Sequence, residues 1–230
     1  MSAAGAVSSL LLADSRFPAG TYAHSLGLEQ AVVEGLDVDG VAPFMSARLR
    51  LVAQPDAALS VAARRAAATG VDGATGACHL AELDAEHAAR CPSPVLRDVA
   101  RRLGSQLLRS AATAWPCGTI DRYRADSATT PRPVALGVVG AVAGLSDLEV
   151  AMVALYDDAA TVACAALKLL GLDPAQTTRW LAELAPRIGT MAGEVADDTR
   201  PVAQQPPPAA IAIELAAARH AARRERFFVS

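Results

Sequence analysis

The sequence holds a single lysine, Lys168, and only nine aromatic residues (two Trp, three Tyr and four Phe) in 230 positions. The lone lysine excludes a phosphate-binding loop of the type G-x-x-x-x-G-K-[ST], because Lys168 is flanked by Leu167 and Leu169. No H-E-x-x-H or G-x-S-x-G occurs, which removes two common hydrolase arrangements. Gly137, Gly140 and Gly144 are not spaced as a dinucleotide fingerprint and suit close contact between packed helices better. Excess positive charge is missing too. The 21 Lys and Arg against 24 Asp and Glu give a net charge of −3, without the basic balance of a nucleic-acid-binding protein. The longest uncharged apolar run, Pro133 to Leu145, is shorter than the roughly 20 residues that cross a bilayer, so no membrane span is expected. Met1 to Ser9 lacks the basic residues of a secretory leader, and Cys78, Cys91, Cys117 and Cys164 are irregularly spaced. The chain is therefore expected to be cytoplasmic, with reduced thiols.

What the chain does have is alanine. Hydrophobic residues make up 52% but aromatics only 4%, so the strand-favouring types are few and the best helix former is abundant. An all-α protein of about ten helices follows, as one compact domain over 1–200 with a proline linker and a C-terminal helix and tail over 201–230. Helix patterns cover Ser8 to Ala13, His24 to Glu34, Val41 to Ala53, Asp56 to Thr69 (after a break at Pro55) and Cys78 to Arg90. The three glycines of Gly70 to Gly76 mark a loop. Ser93-Pro94 opens a helix reaching Ala114, and Trp115 to Pro133 reads as one long irregular segment. Pro133 to Ala143 is helical, Ser146-Asp147-Leu148-Glu149 is a capping box for a helix ending at Gly171, and Asp173-Pro174 starts a helix kinked or broken near Pro186. Thr199 to Pro208 reads as a stiff extended linker, ahead of a last helix from Ala209 to about Arg226.

Two side-chain groups could carry chemistry. Cys78, His79, His87 and Cys91 are four potential metal ligands within fourteen positions, but their spacing matches no common zinc motif. A metal-dependent hydrolase built on them is one reading, and unrelated side chains on one helix is the other. The second group is Tyr22, His24, Ser25 and Glu29 around the turn that Pro18 and Gly20 fix. Glu29 falls one position beyond capping-box spacing from Ser25, which leaves its carboxylate for another task. Gly27, costly inside a helix, marks a close approach of another backbone.

The run Ser15, Phe17, Pro18, Gly20, Tyr22, His24, Ser25, Gly27, Leu28, Glu29 resembles the N-terminal signature of the UreF family of urease accessory proteins. Leu96-Arg97 through Gly104 to Leu107-Leu108 is similar to a second family segment, and Pro133-Val134 through Gly137 to a third. Pro131 stands where that third segment usually has histidine. Arg219-His220 and Arg226 to Ser230 resemble the family ending, with Ala221 in place of a glutamate and Arg224 in place of an aromatic residue.

The resemblance implies an all-α chaperone-type protein rather than an enzyme, with no catalytic, cofactor or metal-ligating residue of its own. It implies a homodimer that joins UreD (also called UreH) and the GTPase UreG, and that delivers nickel to apo-urease while gating GTP hydrolysis or metal release. A helical regulator unrelated to urease is the remaining alternative. The candidate partner-binding residues are Tyr22, His24, Ser25, Gly27, Glu29, Lys168, Arg219, His220, Arg226 and Phe228. Glu29 is expected to face a partner or a polar channel. The Arg219 to Ser230 tail, rich in arginine and bearing Phe227 and Phe228, is expected to be mobile until UreD orders it. The apolar helices over Pro133 to Ala166 suggest more apolar surface than one small domain hides, and so a dimer.

Overall fold

Ser146 and Glu149 close their capping box as the spacing predicts. The Ser146 hydroxyl accepts from the Glu149 amide, and the Glu149 carboxylate accepts from the Ser146 amide at 2.7 Å. They open the helix around which the chain is organised, α9, Asp147–Leu170, which Gly171 ends in the left-handed region (φ 63°). The structure is a computed structural model that describes residues 3–69, 74–207 and 210–229. Among these every regular element is helical: α1 (Ala3–Ala13), α2 (Leu28–Val33), α3 (Val38–Arg48), α4 (Gln54–Thr69), α5 (Ala74–Arg90), α6 (Pro94–Ala114), α7 (Gly118–Asp126), α8 (Arg132–Val142), α9, α10 (Pro174–Asp197) and α11 (Ile211–Ala221). α3 and α4 join without a break through a π turn at Leu49–Ala53, so these helices form ten rods, and the protein is all-α.

α8 is the innermost rod, and every residue from Pro133 to Gly140 is buried. A helix apolar on all sides has no solvent face to offer and must sit between others. Here α4, α6 and α9 surround it. Two of the three spaced glycines serve this packing. A Cβ on Gly137 would lie 2.2 Å from the Ser60 carbonyl of α4, and one on Gly140 would lie 2.5 Å from Val150 Cγ2 of α9. Gly144 has open space beside it and instead supplies the positive φ (76°) that ends α8. α9 is by length and composition able to cross a membrane, which the search for uninterrupted runs overlooked. It packs against α1, α4 and α10, and 61% of its most apolar window is buried in the protein's own core. This also corrects the motive for a dimer. Most of the apolar area of Pro133 to Ala166 is hidden within the molecule, with Leu148 and Tyr156 its exposed large apolar side chains, and Val7, Leu10 and Leu11 of α1 are more exposed than either.

Other expectations change with tertiary packing. Pro55 does not separate two helices, because the π turn before it absorbs the missing donor. Pro186 does not break α10, whose Leu184 and Ile188 stay buried on either side of it. The long segment after Trp115 contains α7, which buries Ile120 and Tyr123. Gly76 belongs to α5, while Gly70 to Gly73 of the expected loop lie outside the described residues. Gly27 is not inside a helix. It caps α2 with φ 91°, a conformational requirement rather than a close approach, since an added Cβ would meet only Ile213 at 3.9 Å.

Candidate functional site

The N-terminal turn is held in place before it offers anything to a partner. The Pro18 carbonyl accepts from Gln106 Nε2 (3.0 Å) and Ser110 Oγ (2.8 Å) of α6, which docks the turn on the body. Leu26 has φ 54°, unusual for a branched apolar residue, and its carbonyl is tied to Arg48 at 3.0 Å. Arg48 ends α3 and is itself locked by a bidentate ion pair with Asp158 of α9, 2.8 Å at its shortest, with both side chains nearly buried. Neither Arg48 nor Asp158 stood out in the sequence. No local motif connects residues 110 positions apart.

Past this turn, Ser25 and Glu29 enter α2. The Ser25 hydroxyl is fully buried and accepts from the Glu29 amide at 3.3 Å. The Glu29 carboxylate is 4% exposed and serves the C-terminal segment. Oε1 accepts from the Phe227 amide (2.8 Å), while Oε2 accepts from the Phe228 amide and from His220 Nε2, both at 2.9 Å. The Arg223 guanidinium adds a cation 3.5 Å from Oε1. Burial pushes this carboxyl up, but the donors from Phe227, His220 and Phe228 outweigh it and hold the acid below its ordinary 4.5. An ionised Glu29 is an acceptor only, so His220 must present a proton on Nε2. The carboxylate left over after capping is thus spent inside the chain, not on a partner or channel.

The same contacts revise the tail. Phe228 and His220 are buried, the Val229 amide donates to the Ala23 carbonyl at 2.8 Å, and Arg219 pairs with Glu34 at 2.9 Å. The linker is fastened as well, since Arg90 of α5 donates to the carbonyls of Gln205 (3.1 Å) and Pro206 (3.2 Å), and also to that of Val202. Pro208, Ala209 and Ser230 lie outside the described residues.

Lys168, late in α9, completes the arrangement. Its ammonium lies 5.4 Å from the centre of the Phe228 ring and 3.5 Å from the Tyr22 carbonyl. Tyr22, Lys168, Arg226 and Phe228 therefore border one shallow surface depression with Arg224 and Phe227. Phe227 and Tyr22 are each 69% exposed, an unusual display for aromatic side chains in a chain with so few. The ten sequence candidates separate into two layers. Tyr22, Lys168, Arg219 and Arg226 are at the surface, and Ser25, Gly27, Glu29, His220 and Phe228 sit beneath and beside them. His24 is buried against the neighbouring cavity, where burial, with help from Arg132 and Arg102, lowers its pKa to about 4 and keeps it neutral. The tail's two phenylalanines, both read from the sequence as part of a partner-binding unit, divide between the layers, with Phe227 exposed and Phe228 buried.

The cysteine and histidine group does not assemble. Cys78 and His79 are exposed, while His87 is buried and Cys91 half-buried at the far end of the segment. Burial lowers His87 to about 4 and raises the Cys91 thiol to about 11. Among the described residues no set of three or more His, Cys, Asp or Glu side chains could hold a metal ion, so the metal-hydrolase alternative loses its ligands. Arg132, next to the Pro131 that replaces the family histidine, forms an ion pair with Asp157 of α9 at 2.6 Å.

Comparison with known proteins places the chain. The sequence model of the UreF family matches residues 36–185. The urease accessory protein UreF of Mycolicibacterium vanbaalenii is 32% identical over 223 residues, covering 96% of this chain and 97% of that protein. UreF of Mycobacterium sp. strain JLS is 34% identical over the same length and coverage, and UreF of Mycobacterium marinum is 35% identical over 189 residues, 81% of this chain and 83% of that one. The chain belongs to the UreF family, whose members are urease accessory proteins rather than catalytic enzymes.

Proposed function

We propose that this chain is a docking subunit of a urease-maturation assembly, joining UreD (UreH) and the GTPase UreG and acting on apo-urease, with nickel as the cargo. The observation that carries the reading is the surface made jointly by the N-terminal turn, the end of α9 and the C-terminal segment. Its exposed aromatic rings beside Lys168, Arg224 and Arg226 have the composition of an interface hot spot, and the cations suit an acidic partner face. Tyr22, Lys168, Arg219 and Arg226 touch the partner, while Ser25, Gly27, Glu29, His220 and Phe228 hold them in register. Because both chain segments build this face, binding there can bias nucleotide turnover or metal release on the partner without any phosphate loop in this chain. A second copy of the chain is a further partner, for which the exposed Val7, Leu10 and Leu11 stripe of α1 is the available apolar area.

Reconstituted activation of apo-urease by UreD, UreG, nickel, bicarbonate and GTP tests the role. Omitting this chain should reduce activation at least tenfold. Equal activation without it would refute the proposal.

A further inference from the structure

Away from that surface, four arginines converge on one open groove. Arg101, Arg102 and Arg109 extend from α6 and Arg124 from α7, and with Ser105 and Thr130 they border a space of about 410 Å³. Residues 101, 105 and 109 follow at intervals of four and share one helix face. Asp98 pairs with both Arg101 and Arg102, at 2.7 Å to the latter, and Asp121 lies 3.7 Å from Arg124. Arg109 bonds the Gln106 carboxamide. Set against those two carboxylates, the four guanidinium groups leave a surplus of two positive charges on a protein whose total is −3.

The wall beside them is built and strained. Thr130, a β-branched residue, has φ 38°, a conformation that costs on the order of 1–3 kcal/mol and persists only where the surroundings enforce it. They do so here. The Thr130 amide donates to Ser127 Oγ at 2.8 Å, and its hydroxyl shares a 2.9 Å bond with Ser105 Oγ of α6. Its carbonyl approaches α6 where only a glycine fits, because a Cβ on Gly104 would lie 1.9 Å from that oxygen. Ser127 is anchored in turn by the buried Asp84, which also accepts from the Tyr123 hydroxyl at 2.7 Å. The wall of the groove is thus preformed, and the ordering left for binding is that of the exposed arginine side chains.

We propose that this groove docks an acidic segment of a partner protein, with two or more Asp or Glu side chains laid across the guanidinium groups. Guanidinium forks match carboxylates in bidentate geometry, and cations contributed by two helices suit several carboxylates along a chain better than one small anion. The border offers little apolar area beyond Leu108 and Ala128, and no aromatic side chain lines it. Recognition dominated by exposed charge speeds encounter and weakens with salt, which suits a contact that forms and releases. The groove shares no residue with the surface around Lys168, and the inference does not depend on the assembly role.

The test uses the full chain and a fluorescently labelled hexaglutamate peptide, with binding read by anisotropy at low ionic strength. Arg109→Glu with Arg124→Glu should weaken binding at least tenfold. Arg50→Glu with Arg179→Glu makes the same change in net charge at exposed positions elsewhere and should weaken it less than twofold. Circular dichroism verifies folding, and Arg109→Gln with Arg124→Gln, expected to weaken binding severalfold, serves if the reversals unfold the chain. Equal losses in the two charge-reversal pairs, or no loss in the groove pair, would overturn the proposal. So would inorganic phosphate displacing the peptide far more strongly than chloride at matched ionic strength, which would assign the groove to a phosphoryl group. Loss of self-association in the groove pair with peptide binding unchanged would assign it to a second copy and overturn it as well.

Discussion

Glu29 ties the C-terminal segment to the body, because three donors from that segment end on one carboxylate. Glu29→Gln removes the charge and puts an amide group where only donors point. It should cost about 2–3 kcal/mol in urea unfolding and expose the Phe227 and Phe228 amides to rapid hydrogen exchange. Unchanged stability and unchanged protection would show that the anchor is not formed. The pH dependence has a definite sign. Glu29 is held below its ordinary 4.5, so its stabilisation is complete above that value and is lost as the pH falls through the lower folded value. Asp56 behaves in the opposite sense. It lines the cavity beside Asp157, Asp158 and Arg132, and burial, reinforced by Asp158, raises its pKa to about 7. The folded chain therefore binds this proton more tightly, and stability drains away as the pH rises from about 4 to 7. Asp56→Asn should stabilise the protein by about 2 kcal/mol at pH 8 and by much less at pH 4, in unfolding curves taken at both. A variant equally or less stable than the parent at pH 8 would contradict the assignment.

At the scale of elements, what was legible in the sequence was local. The capping box at Ser146, the proline start at Pro94 and the stop at Gly171 each predict a helix end from a few neighbouring residues, and each end is where they place it. The failures are tertiary. The α7 helix was hidden because its sequence is polar apart from Ile120 and Tyr123, and only packing against the body makes those two decisive. The continuity of α3 into α4 depends on a π turn that follows from no residue pattern. Within the candidate site, the sequence singled out Glu29 and His220 but could not pair them, because 191 positions separate the two. Gly137 was read from its spacing as a helix contact, and its closeness to Ser60 makes that contact testable. Gly137→Ala should force α8 from α4 and lower stability by about 2–3 kcal/mol or more, whereas Gly144→Ala acts only through its positive φ. A Gly137→Ala protein as stable as the parent would mean that the two helices are not in contact as described.

For the molecule as a whole, membership of the UreF family and the joined N- and C-terminal segments make one account. The buried layer around Glu29 gives order, and the exposed layer around Lys168 is the face proposed for recognition. Separating the two experimentally requires substitutions that leave the buried layer alone. Tyr22→Ala, Arg224→Glu and Arg226→Glu together meet that condition, since all three side chains are exposed. The decisive measurement is the affinity of UreD and UreG for this triple variant against the parent, by calorimetry, with helical content and melting temperature recorded alongside. The account predicts at least a tenfold loss of affinity for one of the two partners, with melting shifted by no more than a few degrees. Parental affinity for both partners in a well-folded triple variant would contradict it.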